Sequence, residues 1–266
     1  MYEKIILDHY ASVAKEEGHL DSCTMADNRI REIETKFILD AIKNYIKENF
    51  SRDLKNIKLL DAGCGNGFTL AQIQKELPGI QISGIEYTPE LRMIANKKKL
   101  ACEVAYGDIK DRLSIPSPND IIITQRVIIN LLNVDDQKLA LENLLYALRP
   151  GGYLICVEAF ESGLINLNRC RAELSLSEIP PAHHNLYLKD DFFKSNRGII
   201  EVPSEFGENI LSTHYFISRV LHDLALNTSK SEFTRNSLFV SFFDKALPLG
   251  IGEFSPLKCN IFKKLN

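Results

Sequence analysis

The spacing of apolar residues changes along the chain and marks two kinds of element. Between Asp27 and Ile46, apolar residues recur every three or four positions, starting with Ile30, Ile33 and Phe37. This spacing predicts an amphipathic helix that packs against a sheet. Further along, short apolar runs alternate with segments of helix length, and the runs lie at 57–62, 80–85, 101–106, 120–124 and 153–159. The alternation predicts βαβ units and a parallel sheet with helices on both faces.

Turn and cap residues agree with these boundaries. The Pro-Gly pair at 78–79 ends one helix, and the Thr-Pro pair at 88–89 supplies an N-cap and a first-turn proline for the next. The Pro-Gly-Gly run at 150–152 predicts a turn into the fifth strand. Beyond it the pattern predicts helices near 164–176 and 212–226, and strands at 198–203 and 257–262.

Composition and charge narrow the class of partner. The 266 residues include 32 basic and 35 acidic side chains, with a net charge of -3, so nothing favours binding to a polyanion such as nucleic acid. The six cysteines form no CxxC pair, which is typical of reduced thiols. No basic segment precedes an apolar one at the start, and no apolar run approaches the roughly 20 residues of a membrane span. These features predict a cytoplasmic protein without nucleic-acid or membrane partners.

A glycine-rich segment follows the first strand and begins a helix. Its sequence at 61–67 is Asp-Ala-Gly-Cys-Gly-Asn-Gly, in which the glycines allow a sharp turn and a close approach of a ligand to the backbone. A dinucleotide site has the spacing GxGxxG, whereas the spacing here is GxGxG with Asp61 two positions before the first glycine. The segment therefore predicts a nucleoside-type ligand other than a dinucleotide.

Three acidic residues follow three consecutive strands. Asp61, Glu86 and Asp108 each stand at the end of a predicted strand, and the carboxyl ends of parallel strands converge on one crevice. Three carboxylates disfavour a pyrophosphate but favour a ligand with cationic groups and a ribose diol, because ionised acceptors make strong hydrogen bonds. S-adenosylmethionine carries these groups.

These segments resemble the motif series of the class I S-adenosylmethionine-dependent methyltransferases. The resemblance covers about Leu54 to Phe160 and rests on LLDAGCGNG at 59–67, Glu86, Gly-Asp-Ile at 107–109 and LRPGG at 148–152. It implies a Rossmann-like α/β fold with a mostly parallel seven-stranded sheet, S-adenosyl-L-methionine as cofactor and S-adenosyl-L-homocysteine as product. It further implies a helical lid at 1–53, a cofactor-binding core at 54–160, and an acceptor region with the last strands at 161–266.

The resemblance implies a role for each matching residue. Asp61 and the glycine backbone would hold the amino-acid end of the cofactor, Glu86 the ribose hydroxyls, and Asp108 with Ile109 the adenine. Tyr10 and Arg29 of the lid would approach the cofactor carboxylate. The complete predicted cofactor set is Asp61, Gly63, Cys64, Gly65, Glu86, Tyr87, Asp108, Ile109, Gln125, Tyr10 and Arg29.

The acceptor region indicates a small molecule. The fourth strand ends in TQRVIIN at 124–130, without the Pro-Pro-aromatic or Pro-Cys motifs of enzymes that methylate DNA bases. A His-Asn-x-Tyr loop and a later Ser-Thr-x-Tyr-x-x-x-Arg helix resemble methyltransferases of bacterial capsule and O-antigen pathways. The predicted substrate-binding residues are Arg126, Asn130, Asn185, Tyr187, His214, Tyr215 and Arg219. The two arginines suit an anionic acceptor, since a guanidinium binds phosphate or carboxylate in bidentate fashion.

Methyl transfer to a hydroxyl requires a group that takes up the proton. Histidine suits this role at neutral pH, and His184 or His183 is the predicted general base. Metal-dependent O-methyltransferases need a cluster of carboxylates, and Glu158 has no partner spaced to form one, so we expect no metal.

The leading prediction is therefore an S-adenosylmethionine-dependent O-methyltransferase of a small polar metabolite, such as a sugar or a phosphorylated precursor in bacterial surface polysaccharide (capsule) biosynthesis. Three alternatives stay open beside it. An N-methyltransferase of a small amine would scarcely need the base, because an amine deprotonates near neutrality. The second alternative is an NAD-linked oxidoreductase, which the glycine spacing and the three acids disfavour. The third is a non-catalytic scaffold. The sequence predicts neither the acceptor's identity nor the oligomeric state.

Overall fold

A mostly parallel sheet forms the centre of the protein. The computed structural model describes residues 2–18, 20, 23, 25–49, 53–205, 207–229 and 232–266. The strands are β1 (Lys58–Ala62), β2 (Gln81–Glu86), β3 (Val104–Tyr106), β4 (Asn119–Gln125), β5 (Leu148–Ala159), β6 (Ile199–Glu201) and β7 (Leu257–Lys264). Among the described residues they form a seven-stranded sheet in the order β3-β2-β1-β4-β5-β7-β6.

The pairing directions confirm the predicted fold. Strands β1 to β5 are mutually parallel where they pair, and β7 runs antiparallel to both β5 and β6. The central strands are buried on both faces, and Ile121, Ile122 and Ile123 of β4 have no exposed surface. A strand covered on both faces favours a continuous apolar run over alternation, which is the pattern of the sequence here.

Helices connect and cover the strands. Their bounds are α1 (Tyr2–Glu17), α2 (Asn28–Glu48), α3 (Phe68–Glu76), α4 (Pro89–Lys97), α5 (Val134–Ala147), α6 (Glu161–Glu173), α7 (Ser212–Phe216), α8 (His222–Ser229) and α9 (Leu238–Ala246). Helix α7 continues into α8 through a π-helical turn, Ile217–Leu221. Helix α2 begins where the sequence predicts, because the Asp27 side chain accepts a hydrogen bond from the Ile30 N–H at 3.3 Å.

Two predicted boundaries are wrong, and one helix is new. The Pro-Gly-Gly run lies inside β5 rather than before it: Gly151 has a φ of 76°, and the register with β4 shifts between Asn119 and Ile121, so the run forms a bulge. Strand β3 begins at Val104 and not at 101, because the Ala101 N–H donates to the Gln74 side chain (2.6 Å). Helix α9 was not predicted as an element.

One close approach joins α6 to the entrance of β7. A Cβ added to Gly163 would overlap the backbone carbonyl oxygen of Ser255. Ser255 is itself buried, so the backbone there has little room to move. Gly163 is therefore required by packing, although glycine is a poor helix former.

We expect Gly163→Ala to lower the free energy of unfolding by about 2 kcal/mol, because the new methyl group must displace packed backbone. Helix propensity alone predicts the opposite, a gain of up to about 1 kcal/mol. Urea unfolding followed by circular dichroism measures the change. Asn166→Ala on the same helix is the control and should change stability by no more than about 0.5 kcal/mol. A stabilised Gly163→Ala protein would contradict the packing argument.

Candidate active site

The glycine loop exposes backbone to a crevice at the carboxyl ends of β1, β2 and β4. Gly63 has a φ of 77°, and a Cβ there would lie 2.5 Å from a methyl carbon of Val127. The Gly63 and Cys64 N–H groups donate to the Ile85 carbonyl at 2.8 and 3.0 Å. Gly67, with a φ of 76°, begins α3. The loop is thus held to β2, and the positive φ of Gly63 and its close approach to Val127 require glycine there.

Two buried carboxylates lie side by side in the crevice. Glu86 accepts hydrogen bonds from the N–H groups of Gly65 and Thr88, each at 2.8 Å. Burial nevertheless raises the pKa of Glu86 above its usual range. Burial, followed by the nearby charge of Glu86, raises the pKa of Asp61 to about 7. In the described part of the chain no donor contacts the Asp61 carboxylate, so this group is available to a ligand.

The far wall of the crevice comes from the loops after β2 and β3. The Tyr87 and Tyr106 rings lie 5.8 Å apart between centroids and are tilted by 37°. The Asp108 carboxylate accepts from the Lys110 N–H at 2.8 Å. The predicted residues that line this crevice are Asp61, Gly63, Cys64, Gly65, Glu86, Tyr87, Asp108, Ile109, Gln125, Tyr10, Arg126 and Asn130.

Polar contacts from helix α2 fix the end of β4. The Gln125 side chain accepts from the Thr69 hydroxyl at 2.8 Å and donates to Glu34 at 2.7 Å. Arg126, with a φ of 59°, donates to both oxygens of Glu34 at 2.5 and 2.6 Å. Glu34 has no exposed surface. The guanidinium of Arg126 is therefore already paired inside the protein.

Tyr10 lies between this crevice and a second pocket. Its hydroxyl pairs with the Asn130 amide, at 3.0 Å from the nitrogen and 3.3 Å from the oxygen. The Asn130 nitrogen also donates to the Arg126 carbonyl at 2.9 Å. Tyr10 and Arg126 line both pockets. Helix α1 thus supplies a side chain that separates two adjoining spaces.

The second pocket contains unpaired polar atoms. His184 and Asn185 line it together with His9, Met25 and Cys23. The His184 Nδ1 and the Asn185 Oδ1 atoms are buried, and neither has a hydrogen-bond partner in the described structure. Burial, with the neighbouring His9 and His183 adding to it, lowers the pKa of His184 to about 4. His184 is therefore uncharged at neutral pH.

The residues of the crevice fit S-adenosylmethionine. The side chains at the strand ends are hydrogen-bond acceptors, and the Asp61 carboxylate has no donor partner among the described residues. A cationic amino group and a ribose diol are the ligand groups that such acceptors take. Gly63, Cys64 and Gly65 of the glycine loop line the crevice.

Comparison with known proteins decides the family. The family model described as "Methyltransferase domain" matches residues 53–189, just over half of the chain. The chain belongs to this methyltransferase family. The predicted class I methyltransferase fold and the predicted enzyme class are thereby confirmed.

Individual relatives are distant. The malonyl-[acyl-carrier protein] O-methyltransferase of Bacillus cereus is 22% identical over 243 residues, which cover 87% of this chain and 81% of that protein. The demethylmenaquinone methyltransferase of Thermus thermophilus is 28% identical over 103 residues, covering 38% of this chain and 46% of that protein. The latter match thus spans less than half of the relative's length.

Solved structures agree on the fold. The plantazolicin methyltransferase BpumL in complex with a pentazolic desmethylPZN analog and SAH superposes with a TM-score of 0.56 at 17% identity, covering all of both chains. BpumL in complex with SAH alone gives a TM-score of 0.53 at 18% identity. In the described part of this methyltransferase, none of the helices is long and apolar enough to cross a bilayer.

Arg29 of this methyltransferase lies away from the cofactor crevice. Its guanidinium contacts Glu32 at 3.1 Å and approaches Asp244 at 3.9 Å, which contradicts the predicted contact with the cofactor. Arg31 lines the crevice instead and stacks over the Phe68 ring at 4.7 Å. Two positions apart on a helix, Arg29 and Arg31 point to different faces. The sequence pattern did not reveal which face turns inward.

Four predicted substrate residues lie outside both pockets. His214 has no exposed surface; its ring nitrogens face Asp244 at 2.8 Å and Asp27 at 2.9 Å. Arg219 contacts Asp27 at 2.5 Å and lies 4.5 Å over the Tyr215 ring. Both ring nitrogens of His214 and one terminal nitrogen of Arg219 are engaged inside the protein, and neither residue lines either pocket, which contradicts their predicted pocket roles. The remaining members of the set, Tyr187 and Tyr215, pack against the hydrophobic core.

Several contributing residues were missed in the sequence. Glu34 occupies an inward position of α2, where a charged residue breaks an apolar pattern, and this break is the signal that could have identified it. Asn66 of the glycine loop donates to the carbonyls of Gly18 and Leu20, each at 3.0 Å, and so connects the loop to the end of α1. Glu158, considered for a metal, accepts three backbone N–H bonds from residues 127–129 and is fully buried.

We expect His214→Ala to lower the free energy of unfolding by about 3 kcal/mol, because it leaves the buried Asp244 carboxylate without its hydrogen-bonded cation and leaves Asp27 with Arg219 alone. The affinity for S-adenosylhomocysteine should change by less than about 2-fold, since His214 lies outside the crevice. Burial alone would lower the pKa of His214, but hydrogen bonds to Asp244 and Asp27 raise it overall.

The pH dependence of this stability loss has a defined sign. The pKa of His214 is raised in the folded protein. Its contribution to the free energy of unfolding is therefore complete below the pKa of the unfolded chain, about 6.5, and is lost as the pH rises through the folded-state pKa. The loss in His214→Ala should therefore be largest below about pH 6.5. Urea titrations at several pH values measure it, with the exposed His183→Ala as control. A His214→Ala protein that keeps its stability but has a strongly raised KM for the acceptor would contradict this structural role and support the predicted role in substrate binding.

The raised pKa of Asp61 predicts a pH-dependent affinity. A cationic amino group requires the ionised carboxylate, which in the free protein forms only as pH rises through about 7. The Kd for S-adenosylhomocysteine should therefore rise about 10-fold from pH 8 to pH 6. Isothermal titration measures this change. In Asp61→Asn the pH dependence should disappear and binding should be weak throughout; an Asp61→Asn protein that keeps the pH dependence would assign it to another group.

Proposed function

We propose that this methyltransferase transfers a methyl group from S-adenosylmethionine to a hydroxyl of a small, uncharged acceptor that carries several hydroxyls, such as a sugar-type metabolite. The observation that carries the proposal is the pair of buried, unpartnered atoms at the second pocket, His184 Nδ1 and Asn185 Oδ1. Both atoms accept hydrogen bonds when His184 is neutral with its proton on Nε2. An acceptor with two hydroxyl donors would satisfy them together.

Cofactor roles follow the side chains of the crevice. We assign the amino group of the cofactor to Asp61, the ribose hydroxyls to Glu86, and the adenine to Asp108 and Ile109 beside Tyr87. Arg31, rather than Arg29, is the cation placed to approach the cofactor carboxylate. Bound in this way, the cofactor would supply a methyl group on a sulfonium: the acceptor oxygen would form a bond to the methyl carbon as the carbon–sulfur bond breaks in line, and S-adenosylhomocysteine would leave.

Tyr10 and Asn130 lie at the border between the two spaces. Their mutual hydrogen bonds fix both side chains, and Tyr10 lines both pockets. A group that spans this border can hold an acceptor oxygen next to the methyl group, and such positioning supplies much of the rate in a displacement reaction. Helix α1 also covers the crevice and would keep water from it.

The charges around the second pocket favour an uncharged acceptor. The sequence suggested that Arg126 and Arg219 bind an anion, but Arg126 is paired with Glu34 and Arg219 with Asp27. Binding a phosphate to either arginine would bring a second anion close to a buried carboxylate, and like charges in such a site repel each other. The proposal therefore keeps the sugar-type acceptor of polysaccharide pathways, expected from the sequence, and sets aside its phosphorylated form.

His184 is the residue to which we assign the acceptor proton. Its loop is fixed by the backbone bond from Leu186 N–H to the Ile129 carbonyl (2.8 Å) and by the Gln137 side chain on the Leu186 carbonyl (2.8 Å). These contacts tie the loop to the segment that follows β4, next to the crevice. The uncharged ring can accept a proton as the new C–O bond forms.

We expect His184→Ala to reduce kcat about 100-fold, as the loss of a general base does, while the Kd for S-adenosylhomocysteine changes by less than about 2-fold. Turnover is measured as S-adenosylhomocysteine formed with a panel of neutral glycosides, nucleotide-linked sugars and small amines. Lys189→Ala, an exposed change in the same region, is the control and should retain full turnover.

Two results would contradict the proposal. Selective turnover of a phosphorylated acceptor would overturn the charge argument. Turnover of an amine with a loss of less than about 3-fold in His184→Ala would favour N-methylation, because an amine can lose its proton to water near neutral pH.

A further inference from the structure

Three histidine rings meet where α1 contacts the acceptor loop. His9 belongs to α1, and His183 and His184 are neighbours in the loop. One ring nitrogen from each lies within 4.8 Å of the others. Ring centroids are 3.7 Å apart for His9 and His184, 5.0 Å for His183 and His184, and 5.6 Å for His9 and His183. We call these residues the three-histidine cluster.

The cluster has no polar partner of its own in the described residues. None of its six ring nitrogens makes a hydrogen bond there, no carboxylate forms an ion pair with it, and the His184 Nδ1 atom is buried. The histidines His214 and His222 differ, because both ring nitrogens of each have a partner. A buried nitrogen without a partner lowers stability. A ligand that binds the His184 Nδ1 atom would remove this cost.

The chemistry of the cluster selects the kind of ligand. Imidazole nitrogen is the ligand preferred by Zn²⁺, Co²⁺, Ni²⁺ and Cu²⁺, whereas Mg²⁺ and Ca²⁺ take oxygen ligands. Three imidazoles are also a known ligand set for zinc, with the fourth position left to water or substrate. The expectation of no metal drawn from the sequence rested on carboxylates and did not consider histidines from two distant segments.

We propose that His9, His183 and His184 bind one divalent transition-metal ion of the zinc class. Ligand nitrogens around a tetrahedral zinc are separated by roughly 3.4 Å, as follows from a Zn–N distance near 2.1 Å. The cluster reaches this spacing by a small contraction. The stacked His9 and His184 rings, inclined by only 18°, must also turn relative to one another to direct both nitrogens at the ion.

The ion would link two distant parts of the chain. Helix α1 covers the cofactor crevice, and the loop at 183–184 borders the second pocket, so a metal bridge between them would hold the cover closed. It would also occupy a lone pair of His184. If the proposed function is correct, metal binding therefore inhibits turnover; this consequence rests on that function, whereas the metal site itself does not.

Direct metal binding tests the site without an acceptor. Protein freed of metal by a chelator is titrated with ZnCl2 by calorimetry, and with CoCl2 while the visible absorption of Co²⁺ is recorded. We expect one ion per chain and the intense visible bands of four-coordinate Co²⁺. His183→Ala and His9→Ala should each weaken binding at least 10-fold, in line with the loss of a ligand.

Matched variants separate the cluster from other ligands. His222→Ala removes a histidine outside the cluster and should leave the affinity for Zn²⁺ unchanged. Cys23→Ser tests the thiol that also lines the second pocket and should have no effect either. The affinity of every variant for S-adenosylhomocysteine, expected to stay within 2-fold of the native protein, shows that the fold is retained.

The outcomes are distinguishable. Native protein that binds no Zn²⁺, or that binds it equally well after His183→Ala and His9→Ala, would overturn the metal site. Loss of binding in Cys23→Ser alone would also overturn it, in favour of a thiol site. Tight binding that requires the cluster but leaves turnover unaffected would confirm the metal site and contradict the assignment of His184 as the base.

Discussion

Two carboxylates buried side by side are the constraint on which the active site depends. The carboxyl ends of parallel strands meet at one edge of the sheet, so Asp61 and Glu86 lie in the same crevice even though their negative charges repel each other. Burial raises the pKa of both groups, and backbone N–H groups relieve only Glu86. The Asp61 carboxylate has no hydrogen-bond donor among the described residues. A ligand with cationic or hydroxyl donors would supply one, so the crevice favours such ligands.

Helices α1 and α2, which both contribute side chains to the wall of this crevice, are held by polar contacts as well as by apolar packing. Glu34 binds Gln125 and Arg126, Asn66 binds the end of α1, and Tyr10 pairs with Asn130. Each contact joins an N-terminal helix to the end of a strand or to the glycine loop. Because the Arg126 charge is paired with Glu34 in this connection, it is already neutralised beside the second pocket.

The cofactor side could be predicted from the sequence, whereas the acceptor side could not. The strands and their carboxyl ends follow from local patterns, so Asp61 and Glu86 could be placed at one crevice without coordinates. The role of His214 depends on Asp27, which is 187 residues distant along the chain, and no local pattern contains that contact. His184 and His214 look alike in sequence, yet the buried Nδ1 atom of His184 has no hydrogen-bond partner in the described part of the chain, whereas His214 lies between two carboxylates.

Partners therefore decide what each histidine can do. A ring held between two carboxylates, as His214 is, has both nitrogens engaged as donors and can offer no lone pair to a ligand. The rings of His9, His183 and His184 face one another, and no acid among the described residues contacts them, so their lone pairs are available to a proton or to a metal ion. The proton and the metal ion would both bind where helix α1 contacts the loop at 183–184. Binding there would couple the position of α1 over the crevice to the methyl transfer that we propose takes place inside it.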